Sequence, residues 1–103
     1  MTTRPREAFA KDAINEALDL FQRRWALRVL WELRDGPLTF RALQARCGDV
    51  SPTVLNQRLA ELREAALVES GASGYALGDL GRELLVAFGP LTQWAQRWKK
   101  VRG

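Results

Sequence analysis

Between residues 24 and 34 the chain reads Arg-Trp-Ala-Leu-Arg-Val-Leu-Trp-Glu-Leu-Arg, and before the closing Arg34 its polar residues are Arg24, Arg28 and Glu32. Steps of four leave those three on one narrow stripe, so a helix here is apolar on most sides and belongs at the centre of a core. Trp25 and Trp31 are then expected to pack inside. Asp35-Gly-Pro37 ends the helix, because Gly permits a left-handed cap and Pro cannot extend the ladder.

The flanking segments keep the helical period. Ala10, Ile14, Ala17, Leu18 and Phe21 form one apolar stripe, predicting a helix over 10–22 behind an N-terminal arm, 1–9. Thr39 can cap a short helix carrying Phe40, Leu43 and Cys47, which Gly48-Asp-Val50 breaks. Ser51-Pro52 starts the next helix, the Ser hydroxyl accepting from orphan N–H groups and Pro fitting the first turn at no cost. Its buried face is Leu55, Leu59, Leu62 and Ala66. Leu67–Ser70 and Tyr75–Leu77 are extended candidates around Gly71-Ala-Ser-Gly74, a hairpin over 67–77. A last helix over 79–99 carries Leu80, Leu84, Ala87, Phe88, Leu91, Trp94 and Trp98 in phase, with Gly89-Pro90 expected to kink or split it.

Composition narrows the function. A chain of 103 residues supports one domain, and 47% apolar with 27% charged residues is ordinary for a globular protein. With no His and a single Cys, the common general base and the usual zinc ligand sets are missing, and no phosphate loop or nucleophile motif stands in their place. The expectation is a non-enzyme with no metal or cofactor. A lone thiol, an N-terminus without a signal-peptide apolar run and no membrane-length apolar stretch predict a cytoplasmic protein without a membrane partner. Cys47 itself, in phase with Phe40 and Leu43, reads as a small core hydrophobe. The net charge of +4 and pI near 10.0 lean toward an anionic partner, yet residues 34–63 hold +2, residues 64–93 hold −3, and residues 94–103 hold +4.

Two helices joined by a short Gly-containing turn, the second one capped and polar outward, followed by a hairpin, make a winged helix-turn-helix over 39–65 and 67–77. The fold class is mainly α with this small β-hairpin. A recognition helix enters the major groove N-terminus first, which puts Ser51, Pro52, Thr53, Asn56 and Gln57 at base edges and phosphates. Asn and Gln bond adenine in bidentate fashion, and Arg58 and Arg63 are candidates to neutralise phosphate. Thr39 and Arg41, at the start of the preceding helix, complete the candidate DNA contacts.

Four blocks make the chain resemble the HxlR family of regulators: residues 12–25, Leu33-Arg-Asp-Gly-Pro-Leu-Thr-Phe-Arg-Ala-Leu43, Val50-Ser-Pro-Thr-Val-Leu-Asn-Gln-Arg-Leu-Ala-Glu-Leu62 and Leu80-Gly-Arg-Glu-Leu84. The run from Ser51 to Leu59 is the most specific. This resemblance implies a bacterial winged-helix transcription regulator, often a repressor, that dimerises through its terminal helices. It also implies three departures. Asp12 and Ala13 stand where the family often has a sensing Cys, Thr53 stands where it often has Lys, and the link 71–74 is short and without Lys or Arg.

The resulting expectation is a homodimer on a palindromic DNA operator, half-sites about 34 Å apart, with Ile14, Leu18, Phe21, Phe88, Leu91, Trp94 and Trp98 at the dimer interface. Trp25, Trp31, Trp94 and Trp98 are candidates for an aromatic effector site. The basic tail 99–102 suits either phosphate contact or the dipole of a solvated helix end. The alternative is a winged-helix protein-interaction module without specific DNA readout.

Overall fold

The computed structural model describes residues 5–103, and the first four positions of the expected N-terminal arm lie outside the described residues. Its elements run α1 Pro5–Gln22, α2 Ala26–Glu32, α3 Phe40–Arg46, α4 Pro52–Glu64, β1 Val68–Gly71, β2 Gly74–Leu77 and α5 Asp79–Arg102. The mainly helical chain with one antiparallel hairpin is the expected fold class.

One cluster forms the core: Ala26, Val29, Leu30 and Leu33 from the α2 segment, Leu43 and Cys47 from α3, Leu55, Leu59 and Leu62 from α4, with Leu67, Val68 and Leu77 from the wing. The helix-turn-helix and wing therefore enclose their own interior. Among the described residues of α1 none is fully buried, and α5 contributes only Gly81. Both helices reach outward, so the radius of gyration is 15.8 Å against about 13 Å for a compact chain of this length.

Caps form where the sequence places them. Thr39 Oγ1 accepts from the Ala42 N–H and Ser51 Oγ from the Val54 N–H, both at 3.2 Å. Between them Gly48 and Asp49 both take the left-handed conformation, φ 76° and 60°, and Gln44 Nε2 donates to the Val50 carbonyl at 2.9 Å. This fixes the turn that aims α4.

Several expectations are corrected. The helix foreseen over 24–34 is only Ala26–Glu32, because Trp25 at φ 77° interrupts the path from α1. Trp31 is 53% exposed rather than buried, and Leu27 is also exposed; neither α1 nor α5 covers that side of α2. Trp25 does pack against the core. The helix expected from residue 10 starts at Pro5, so residues 5–9 of the supposed arm are helical although Phe9 buries almost nothing. Ala66 is not on the buried face of α4: the helix ends at Glu64, and Ala66 is exposed at φ 64°.

α5 passes unbroken through Pro90 and continues to Arg102. Pro90 has no N–H to offer the Val86 carbonyl, but Val86 is exposed, so the loss costs little there. The wing is tighter than foreseen, its register running from Val68↔Leu77 to Gly71↔Gly74, which leaves Ala72-Ser73 as a two-residue tip. Tyr75 exchanges backbone hydrogen bonds of 2.9 and 2.8 Å with Leu38, so the wing is stitched to the segment before α3. Gly74 is required there: its φ is 106°, and a Cβ would fall 2.3 Å from the Leu38 carbonyl oxygen.

Candidate nucleic-acid interface

The outward face of α4 carries Thr53, Asn56, Gln57 and Ala60, all exposed, with exposed Ser51 and Pro52 at its N-terminus and exposed Arg63 near its end. Thr39 and Arg41 are exposed at the start of α3. The Ser51 and Thr39 hydroxyls already hold their helix starts, each keeping a free lone pair for a further donor. Helical phase thus brings the uncharged candidates onto one polar strip beside two arginines.

Arg58 is different. Its side chain is only 16% exposed; Nε donates to the Arg24 carbonyl at 2.8 Å, and Nη1 donates to both Glu61 carboxylate oxygens at 2.9 Å. The guanidinium is turned into the α1–α2 junction, away from the polar strip, because a carbonyl and a carboxylate meet its planar fork there. Glu61 also receives Arg23 Nη1 at 3.1 Å. The strained Trp25 conformation, next to the Arg24 carbonyl, is thereby clamped to α4.

Nothing in the sequence marks Glu61 or Gln44 for these roles. Their partners are remote or irregular in spacing: Arg58 meets Arg24 across 34 residues, and no local periodicity signals that. Arg28 does pair with Glu32 at 2.7 Å as its spacing of four implies, and also donates to the Arg46 carbonyl at 2.9 Å. Arg23 pairs with Asp19 one turn back as well as with Glu61.

Burial pushes the Glu61 carboxyl up, but hydrogen bonds and charge from Arg23 and Arg58 outweigh it and hold the group below its ordinary value of 4.5. Because the folded value is the lower one, the clamp contributes stability above that ordinary value and loses it as pH falls through the folded one. Wild type is therefore expected to lose thermal stability more steeply than Glu61→Gln as pH falls below 4.5, followed by circular dichroism. Equal slopes would refute the clamp. Cys47 is buried, and desolvation foremost, with the Glu32 charge second, raises its thiol above 9.0. It is held as the unreactive thiol form.

The aromatic candidates divide. Phe21 and Phe88 meet edge to face at 5.5 Å and join α1 to α5 within the chain. Trp94 and Trp98 stack at 5.8 Å and 11°, and the Arg102 guanidinium lies 4.5 Å above Trp98. Arg34 covers Trp31 at 4.1 Å and Arg24 lies 5.3 Å from Trp25. Trp25 lines a shallow depression with Phe21, Gln22 and Leu27. A groove of about 1020 Å³ does lie between α1, the end of α4 and the start of α5, floored by residues such as Ala17, Leu20, Leu80 and Leu84. Ile14, Leu18, Leu91, Trp94 and Trp98 are all exposed apolar side chains.

Among the described residues no cluster of three or more potential metal ligands occurs, and no helix is long and apolar enough to cross a membrane. Residues 20–102 match the family model described as HxlR-like helix-turn-helix. The HTH-type transcriptional regulator YvaP of Bacillus subtilis (strain 168) is 28% identical over 90 residues, covering 81% of this chain and 83% of that protein. Quinone-bound YodB from B. subtilis superposes with a TM-score of 0.79 at 28% identity, covering 84% of this chain and 98% of YodB. A MarR-family regulator structure from Enterococcus faecalis V583 gives a TM-score of 0.80 at 27% identity, over 100% and 97% of the two chains.

Proposed function

This chain belongs to the HxlR-like helix-turn-helix family of transcriptional regulators, and from that premise we propose that it acts as a homodimeric, sequence-specific DNA-binding repressor. α4 lies in the major groove, and two copies related by a two-fold axis read a palindromic operator with half-sites about 34 Å apart. The observation that carries this reading is the exposed strip Ser51, Thr53, Asn56 and Gln57 on a helix that is capped, and held from behind by Arg58 and Glu61. A polar face on a rigidly aimed helix is what base readout needs.

Asn56 and Gln57 read base edges, Ser51, Pro52 and Thr53 seat the helix start against the backbone, and Arg41, Arg63 and Thr39 contact phosphates. Arg58 is reassigned as a positioning residue. The wing carries no Lys or Arg at its Ala72-Ser73 tip, so specificity rests on α4. The quinone named for the solved relative supports responsiveness to a small molecule. With Cys47 buried, that response here is reversible binding rather than thiol chemistry.

DNA selected from a random pool at fixed salt is expected to yield an inverted repeat. On that site Gln57→Ala is expected to weaken binding by about 1–2 kcal/mol, with a much smaller effect on unrelated duplex. Equal losses on both, or a pool without enrichment, would overturn specific readout and favour a protein-interaction module.

A further inference from the structure

The depression at the α1–α2 junction measures about 400 Å³, toward the small end of the volumes that small-molecule sites occupy. Trp25, Phe21 and Leu27 give it apolar surface, Arg23, Arg24 and Arg28 give it charge, and among the described residues no acid lines it. Trp25 is half-buried against the core, which fixes its ring while part of it faces the depression.

The three cations are not equivalent. Arg23 is engaged by Asp19 and Glu61, and Arg28 by Glu32 and the Arg46 carbonyl. The Arg24 guanidinium meets neither an acid nor a carbonyl among the described residues; it lies 5.3 Å from the centroid of the Trp25 ring. An unmatched planar fork therefore stands beside an immobilised indole.

We propose that this depression binds a small planar aromatic carboxylate, its ring against Trp25 and Leu27 and its carboxylate on Arg24. Guanidinium and carboxylate join through two parallel hydrogen bonds, and the indole offers a flat apolar face to a second ring. A neutral ring leaves the Arg24 charge unmatched, and an aliphatic anion leaves the indole unmatched. The larger groove between α1, α4 and α5 repels the same ligand, because Glu16, Asp19, Glu61, Glu64 and Glu83 line it against Arg23 as the sole cation.

The inference rests on the small-molecule response proposed above and names its site and ligand class. The route to the recognition helix is short. α4 holds the main chain of this junction through Arg58 Nε on the Arg24 carbonyl at 2.8 Å, and Glu61 holds Arg23 at 3.1 Å. A ligand gripped by the Arg24 and Trp25 side chains bears on the same two residues, one of them at φ 77°. Ligand and DNA then alter each other's affinity by the same factor.

Heteronuclear NMR of the full chain titrated with naphthoate tests this. The four Trp give four indole N–H signals, assigned through Trp31→Phe, Trp94→Phe and Trp98→Phe, and the remaining signal, Trp25, is expected to shift saturably. Arg24→Gln keeps the carbonyl that Arg58 holds, and is expected to weaken binding about tenfold or more, as is replacing the probe by uncharged naphthamide. Lys100→Gln, at the end of α5, should bind as wild type does. Naphthamide binding as tightly as naphthoate, an unaffected Arg24→Gln, or shifts at Trp94 and Trp98 with Trp25 unmoved would overturn the site. So would an unshifted Trp25 together with a flatter salt slope of DNA binding in Arg24→Gln, which assigns that guanidinium to phosphate. Saturating naphthoate is expected to change operator affinity about fivefold or more; a shifted Trp25 with operator affinity unchanged keeps the site and overturns the small-molecule response.

Discussion

Gly81→Val is expected to lower the stability of the protein by about 3 kcal/mol and its thermal midpoint by roughly 10–20 °C. A Cβ at position 81 would fall 2.2 Å from the Leu67 carbonyl oxygen and 3.2 Å from Leu77 Cδ2. The obstacle is backbone, which no rotamer change relieves, so α5 has to lift from the wing. Leu67 has two further duties, accepting from the Gly78 N–H at 3.0 Å and donating to the Leu62 carbonyl at 2.9 Å. Lifting α5 therefore strains the α4–wing corner. Differential scanning calorimetry reads the loss. Wild-type stability in Gly81→Val would show that the close approach is dispensable.

Arg58→Ala is expected to cost about 2–3 kcal/mol of stability while leaving the salt dependence of DNA binding unchanged. It removes a charge-assisted bond to the Arg24 carbonyl and a fork onto Glu61. Glu61 is then held by Arg23 alone, and the α1–α2 junction keeps only that pair as its ionic link to α4. Arg41→Ala gives the contrast. Arg41 is exposed at the start of α3, so its loss is expected to reduce the slope of log affinity against log salt by about one phosphate contact, with little change in stability. If Arg58→Ala flattens the slope while Arg41→Ala leaves it unchanged, the two roles are exchanged and Arg58 meets phosphate.

The helix-turn-helix was legible because its signals are local. Thr39 and Ser51 cap within three residues, Gly48-Asp49 turns the chain within two, and Leu55, Leu59 and Leu62 mark one face within two turns. Leu80-Gly-Arg-Glu-Leu84 was legible as a block, but its reason was not. Gly81 is small because a carbonyl from the α4–wing corner passes over it, and nothing in the spacing of the block reports that approach.

Trp31 and Pro90 show the opposite error, in which a sound local rule meets an unforeseen environment. The apolar stripe of α2 promised burial on nearly every side, yet α1 and α5 extend away and leave Trp31 beneath Arg34 rather than inside. Pro90 promised a break, yet α5 is solvated at that turn and continues. Both outcomes depend on where the terminal helices point. Long helices that reach the core only through Leu20, Gly81, Leu84 and Leu85 and meet each other at Phe21–Phe88 have no sequence-local determinant of direction.

From the sequence alone came the elements, their caps, the polar strip on α4, the buried thiol and the repeat along α5, because each is set by neighbours within three or four positions. Tertiary structure decided that Arg58 serves the α1–α2 junction instead of the surface, and that the acidic groove adjoins the start of α5. Side chains with several equivalent partners choose by distance in space, and that distance exists only after the chain has folded.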